Sequence, residues 1–200
     1  MERLKAENKL LVRQKKEWGE ILTGFETKNK YVIMNAQGEE LFYAAEVGGS
    51  LLLRLLLKAF RPFKMSIMTK DGKQLLHLVR PFRFFFHRLN IYDQSGAYIG
   101  AIQKRFSILR RIYGILNPSE QECVQLFGPI LHPWTFIIKK NGRDEGKITK
   151  RWSGLFKEGF TDADNFEVML PVESSLSERC LILGAVFLID FVHFENKSNN

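Results

Sequence analysis

The chain has 200 residues, of which 45% are hydrophobic and 17 are Phe, with a formal net charge of +8. That apolar content suits one or two globular domains with a sizeable core. Two cysteines, Cys123 and Cys180, are too few for a disulfide framework or a cysteine metal site. The positive balance points to an acidic partner, either an anionic membrane surface or nucleic acid.

Residues 1–20 are charged throughout, with Leu10, Leu11 and Val12 among the charges, and read as a lead-in with helical composition. They lack the apolar stretch of a signal peptide, so a reducing, cytoplasmic setting is expected. From Tyr31 the pattern becomes that of serial hairpins. Runs of β formers are broken at Ala36-Gln37-Gly38, Lys70-Asp71-Gly72, Gln94-Ser95-Gly96 and Asn141-Gly142. Glycine there supplies positive φ, and Asp-Gly and Asn-Gly are strong short hairpin signals. Alternation is clear in Lys64-Met65-Ser66-Ile67 and in Lys147-Ile148-Thr149. Hairpins in series predict a mainly β fold whose antiparallel sheet closes or doubles on itself. No Pro-, Ser- or Gly-rich linker divides the chain, so one domain is expected over 21–195, followed by a disordered tail over 196–200.

Three surface segments stand out. Leu51, Leu52, Leu53, Arg54, Leu55, Leu56, Leu57 and Lys58 form an apolar stretch with basic residues, the composition of a segment lying among lipid headgroups. Phe84, Phe85 and Phe86 offer a second apolar contact. Lys104 and Arg105, with Arg110 and Arg111, form a basic group. Each Lys or Arg near an anionic leaflet adds about 1 kcal/mol. Packing against protein, or plain solvation of a strand end, are the competing readings of these segments. Aromatics follow strand periodicity and show no nucleic-acid-binding pattern, so nucleic acid is the less favoured partner.

Cys180 to Phe194, CLILGAVFLIDFVHF, is the most apolar stretch. As a helix it is about 22 Å long at ~1.5 Å per residue, short of the roughly 30 Å hydrocarbon layer. Asp190 and His193 interrupt it further. A core helix is the favoured reading, with a membrane anchor or buried strand as alternatives. Within a barrel it is the one segment apolar enough all round to fill the interior. Asp190 then sits near the barrel mouth and hydrogen-bonds to backbone or a Tyr.

Several phrases together carry a family resemblance. LTGFETKNKYVIMNAQGEELFYAAE, RPF at Arg61–Phe63, RPFR at Arg80–Arg83, GKITKRWSGLFKEGFTDADNFEVMLP and LGAVFLIDFVHFE resemble the phospholipid scramblase family, from about Leu22 to Glu195. That family is related to Tubby C-terminal and LURP-one-type domains. The resemblance implies a twelve-stranded barrel around a hydrophobic C-terminal helix. It also implies calcium-dependent movement, or binding, of phospholipids at a membrane. By likeness to Tubby-type domains, the Lys104–Arg111 group is a place for a phosphoinositide headgroup.

The segment Asp162 to Glu173 resembles the family's calcium segment. Asp162, Asp164 and Glu173 fill positions 1, 3 and 12 of such a loop. Phe166 and Glu167 stand at positions 5 and 6, where an oxygen and a Gly are needed, so any calcium site is expected to be weak. A polar turn leading into a strand is the favoured alternative. The chain carries no Cys in the loops where family members accept palmitate. It shows no zinc spacing, nucleophile elbow or phosphate loop, and reads as a non-enzyme. The alternative function is a soluble lipid-sensing or regulatory scaffold that binds protein or DNA through a basic face.

Overall fold

Twelve strands form one antiparallel sheet that closes on itself, in a computed structural model describing residues 1–15, 29–47, 61–151 and 165–194. The strands are β1 (Lys9–Gln14), β2 (Lys30–Met34), β3 (Glu40–Glu46), β4 (Phe63–Met68), β5 (Gln74–Arg80) and β6 (Arg88–Asp93). They continue as β7 (Tyr98–Lys104), β8 (Arg111–Leu116), β9 (Glu122–Gly128), β10 (Thr135–Lys140), β11 (Arg143–Arg151) and β12 (Asn165–Met169). Each strand pairs with its chain neighbours, and β1 closes the ring by pairing with β12, Leu10 opposite Val168 and Val12 opposite Phe166. Closure leaves no edge strand to template aggregation.

The hairpin signals hold. Gly38, Gly72, Gly96 and Gly142 take φ of 83°, 81°, 85° and 77°. Asn141 also has positive φ, at 50°, as a two-residue turn of the twist-matched type requires. A fifth hairpin, β8 to β9, turns at Asn117–Gln121 with Glu120 at φ 62° in place of a glycine. Of the lead-in over residues 1–20, residues 16–20 lie outside the described residues. Helix α1 spans Glu2–Lys5, and Lys9–Gln14 is β1. Leu10 and Val12 point into the core while Lys9 and Arg13 point out, a period of two that burial rewards over helical composition.

The helix α2 (Leu176–His193) fills the barrel. Arg179 through Phe191 are all buried, and they pack in one cluster with the inward residues of the wall. The helix starts in a capping box: Ser175 Oγ accepts from Glu178 N, and Glu178 Oε2 accepts from Ser175 N. Arg179, also buried, donates to the carbonyls of Leu4, Glu7, Pro171, Val172 and Ser174. One side chain thus satisfies five backbone acceptors and ties the N-terminal segment to the base of the helix. The helix lies closest to the wall at β6 and β7. A Cβ at Gly184 would come 2.2 Å from Ile91 Cδ1, and one at Gly100 would come 2.2 Å from Leu116 O and 3.0 Å from Leu181 Cδ1.

Because neighbouring strands alternate in direction, the connections alternate between the barrel's two ends. Residues 35–39, 69–73, 94–97, 117–121 and 141–142 turn at one end, where α2 begins. Residues 81–87, 105–110 and 129–134 cross at the other, where α2 finishes beside β2 and β8. These are called the turn end and the loop end.

Candidate functional site

The loop end combines two layers. The inner layer is buried and polar. Asp190, at the last turns of α2, accepts from Tyr31 Oη at 2.6 Å, and Lys150 Nζ lies 3.9 Å from its other oxygen. The expected Tyr partner for Asp190 is therefore present. Burying this carboxylate requires such partners, and Lys150 also stands 4.0 Å over the Phe194 ring. Beside them Arg61 and Glu46 form a doubly bonded ion pair, at 2.5 and 3.2 Å, and Asn29 donates to the same carboxylate at 3.0 Å. Tyr113 Oη and His193 Nε2 are 2.8 Å apart.

This layer explains the two arginine–proline phrases. Phe63 of the first stacks on Phe191 of α2 with ring centroids 4.0 Å apart. Arg61 lies over Phe191, at 4.7 Å, and Arg80 of the second phrase lies over Phe63, at 5.7 Å. Two buried guanidinium groups thus sandwich an aromatic pair that anchors the end of the helix. Arg80 Nη2 also meets His87 Nδ1 at 2.8 Å. Burial, then the Arg80 and Lys104 charges, push the His87 pKa down to about 4. The ring is neutral at pH 7 and accepts from Arg80. Cys180, at the other end of α2, behaves as a small hydrophobe, its thiol pushed up to about 12 by burial.

The outer layer is exposed and apolar. Phe82, Phe84, Phe85 and Phe86 project from 81–87, Phe106, Ile108 and Leu109 from 105–110, and Ile130 and Leu131 from 129–134. Phe85, Ile108 and Leu131 are 80%, 84% and 88% exposed. Phe82 and Phe84 pack edge to face at 4.8 Å, and Phe86 takes φ 54°, a conformation rare for an aromatic residue. Of the residues predicted to touch lipid, Phe84 and Phe85 are therefore at this end and open to solvent. The stretch from Leu51 to Lys58 lies outside the described residues; its described flanks, Val47 and Arg61, stand at the same end.

The basic group divides. Lys104, half-buried at the end of β7, has its pKa lowered by burial. Arg105 pairs with Glu122 at 2.7 Å. Arg111 donates to the carbonyls of Pro129, His132 and Pro133, so it braces the third connection from the start of β8. Arg110 is exposed, its guanidinium 5.5 Å from the Phe127 ring, and its backbone N–H donates to Ser107 Oγ. The four cations share one end but do not converge on one pocket. Ile108, Leu109, Ile130 and Leu131 were missed in the sequence. Short apolar pairs there look like strand residues, and only the wall shows that they fall in connections.

Of the proposed calcium ligands, Asp162 and Asp164 lie outside the described residues. Glu173 follows β12 at the turn end, and its carbonyl accepts from Lys140 Nζ at 2.8 Å. A twelve-residue calcium loop brings its first and last positions onto one ion. Within the segment, Asn165–Met169 is the strand β12. Among the described residues no group of three or more His, Cys, Asp or Glu is placed to hold a metal. Nor is any described helix long and apolar enough to cross a membrane.

Comparison with known proteins gives the family of the chain. The family model described as Scramblase matches residues 1–196. Phospholipid scramblase 1 of Mus musculus is 32% identical over 96% of this chain and 62% of its own length. Phospholipid scramblase 2 of Bos taurus is 32% identical over 94% of this chain and 69% of its own. A phospholipid scramblase family protein of Schizosaccharomyces pombe is 28% identical over 96% of this chain and 60% of its own. The chain thus spans about three fifths of the length of the rodent relatives, 62% and 61%. An X-ray structure of an Arabidopsis thaliana protein overlays with a TM-score of 0.49 at 10% identity, covering 92% of this chain and 90% of that one, too loose a match to argue from. Matched by the family model along nearly its whole length, and by named phospholipid scramblases at 32% identity, this chain belongs to the phospholipid scramblase family.

Proposed function

We propose that this protein acts on phospholipid bilayers from one surface, binding there and easing the passage of phospholipids between leaflets without an energy source. The observation that supports this reading is the exposed apolar layer at the loop end of a chain of the scramblase family, and the enclosure of α2 limits how such a protein can act. The most apolar segment, Cys180 to Phe191, is consumed as barrel core. A helix so enclosed does not serve as a membrane anchor, and it leaves no lumen through which a headgroup could pass. Lipid movement must then come from disturbing the leaflet that the protein touches.

The test is leaflet exchange in vesicles carrying a fluorescent phospholipid, with dithionite bleaching the outer leaflet, run with and without calcium. Bleaching beyond half of the signal, faster than in protein-free vesicles, is the expected result. Calcium acceleration would support a calcium role for the Asp162–Glu173 segment. Binding to vesicles with no exchange would favour a second reading, a lipid-sensing scaffold without transport. The filled interior of the barrel is what favours that second reading.

A further inference from the structure

We propose that the loop end docks onto an anionic bilayer as three prongs, the tips of 81–87, 105–110 and 129–134 entering the headgroup region with the barrel axis steep to the membrane. This rests on the bilayer reading above and deepens it by naming the face, the pose and the lipid charge.

Apolar residues scattered over a surface need no explanation, but a cluster does. Among the described residues ten large hydrophobic side chains are exposed, and nine of them stand in these three connections. The tenth, Val172, is at the turn end. The charges are sorted in the same sense. The three connections contain no Asp or Glu and carry Arg83, Arg105 and Arg110. The turn end is mixed, with Glu39, Asp71, Asp93, Glu120 and Glu173 in or beside its turns together with Lys70, Lys73, Lys140 and Arg143. An anionic surface therefore attracts the acid-free loop end more than the mixed turn end, which biases the barrel's orientation before contact.

Bilayer chemistry fits better than a protein partner. The apolar groups are carried by three separate connections, and a protein partner would have to match each of them. A leaflet accepts prongs at any spacing. Phe, Ile and Leu in short segments with flanking Arg are the composition that settles at the headgroup–acyl boundary. Arg111 gives the prongs stiffness, since it holds three carbonyls of the third connection from the base of the second.

The experiment is co-sedimentation of the full chain with phosphatidylcholine vesicles, with and without phosphatidylserine. The variants are Phe85→Asp, Leu109→Asp, Leu131→Asp, Arg110→Gln and, as control, Val172→Asp. All five positions are exposed, so the fold survives, as unchanged melting would verify. The wild type is expected to bind the serine-containing vesicles more tightly, and less so as salt rises. Each prong variant should weaken binding at least about tenfold, Arg110→Gln about fivefold, and Val172→Asp less than about twofold. Wild-type binding that the prong variants leave unchanged would overturn the three-prong pose while leaving the bilayer reading intact. No wild-type binding to either vesicle would overturn the docking, and the dithionite assay would then judge the transport reading separately. Self-association that the prong variants abolish, without vesicle binding, would assign this face to a second copy of the chain and refute the proposal.

Discussion

Phe187 is the point at which the enclosed-helix architecture is most exposed to refutation. It is fully buried at mid-helix and meets Tyr31 of β2 edge to face, ring centroids 5.0 Å apart. Phe187→Ala removes the apolar surface, leaves a cavity that a closed wall collapses around poorly, and loses the ring contact. Such a change costs about 3–5 kcal/mol, of which the ring pair supplies roughly 0.5–1.5 kcal/mol. For a domain whose whole stability is about 5–15 kcal/mol, that is a large fraction. At about 2–4 °C per kcal/mol for a chain of this size, the melting temperature should fall by roughly 6–20 °C. Circular dichroism melting and urea titration of the detergent-free protein measure it. Phe187→Leu, which keeps most of the volume, should cost less than about 1.5 kcal/mol and provides a folded variant if Ala is too severe. Val172→Ala, on the surface, should lie within about 0.5 kcal/mol of wild type. If Phe187→Ala melts within 2 °C of wild type, on the order of the control's scatter, α2 is not the core of the barrel and the reasoning fails.

Gly100→Ala should destabilise by at least about 2 kcal/mol, because its φ of 137° and a Cβ 2.2 Å from the Leu116 carbonyl leave the backbone no room. Gly184→Ala should cost less, since the obstruction is the tip of Ile91 and can turn; paired urea titrations give the order. Tyr31→Phe removes the 2.6 Å bond to the buried Asp190 and should cost about 1.5–3 kcal/mol in the same assay. His87 gives a pH dependence. Its folded pKa of about 4 lies below the ordinary value of 6.5, so the unfolded chain binds more protons between those values. Stability should therefore fall as pH drops from about 6.5 to 4 and be unaffected by this group above about 6.5. His87→Gln, whose side-chain oxygen can still accept from Arg80, should flatten that part of the melting-temperature profile; an unchanged profile would place the acid sensitivity elsewhere.

The wall was legible because its signals are local. Positive-φ glycines at Gly38, Gly72, Gly96 and Gly142 mark hairpins by backbone sterics alone, and a short apolar run broken by Asp190 is too short to span a bilayer whatever surrounds it. The segment Lys9–Gln14 was less legible: six residues with helical composition form a strand because β2 and β12 both need a partner there. The family phrases were visible too, but not their purpose. That Arg61 and Arg80 bracket Phe63 against Phe191 depends on residues far apart in sequence meeting at one end of the barrel. The same holds for the exposed tips. Phe85 stands out in its aromatic run, but Leu109 and Leu131 are separate hydrophobic residues along the chain, and each alone is unremarkable. Alternation of strand direction around a closed ring gathers their connections at one end and sends Glu39, Asp71 and Glu120 to the other. Sequence periodicity determines which face of a strand is buried; only closure of the sheet determines which loops are neighbours, because neighbourhood is set by the hydrogen bonds between strands and not by distance along the chain.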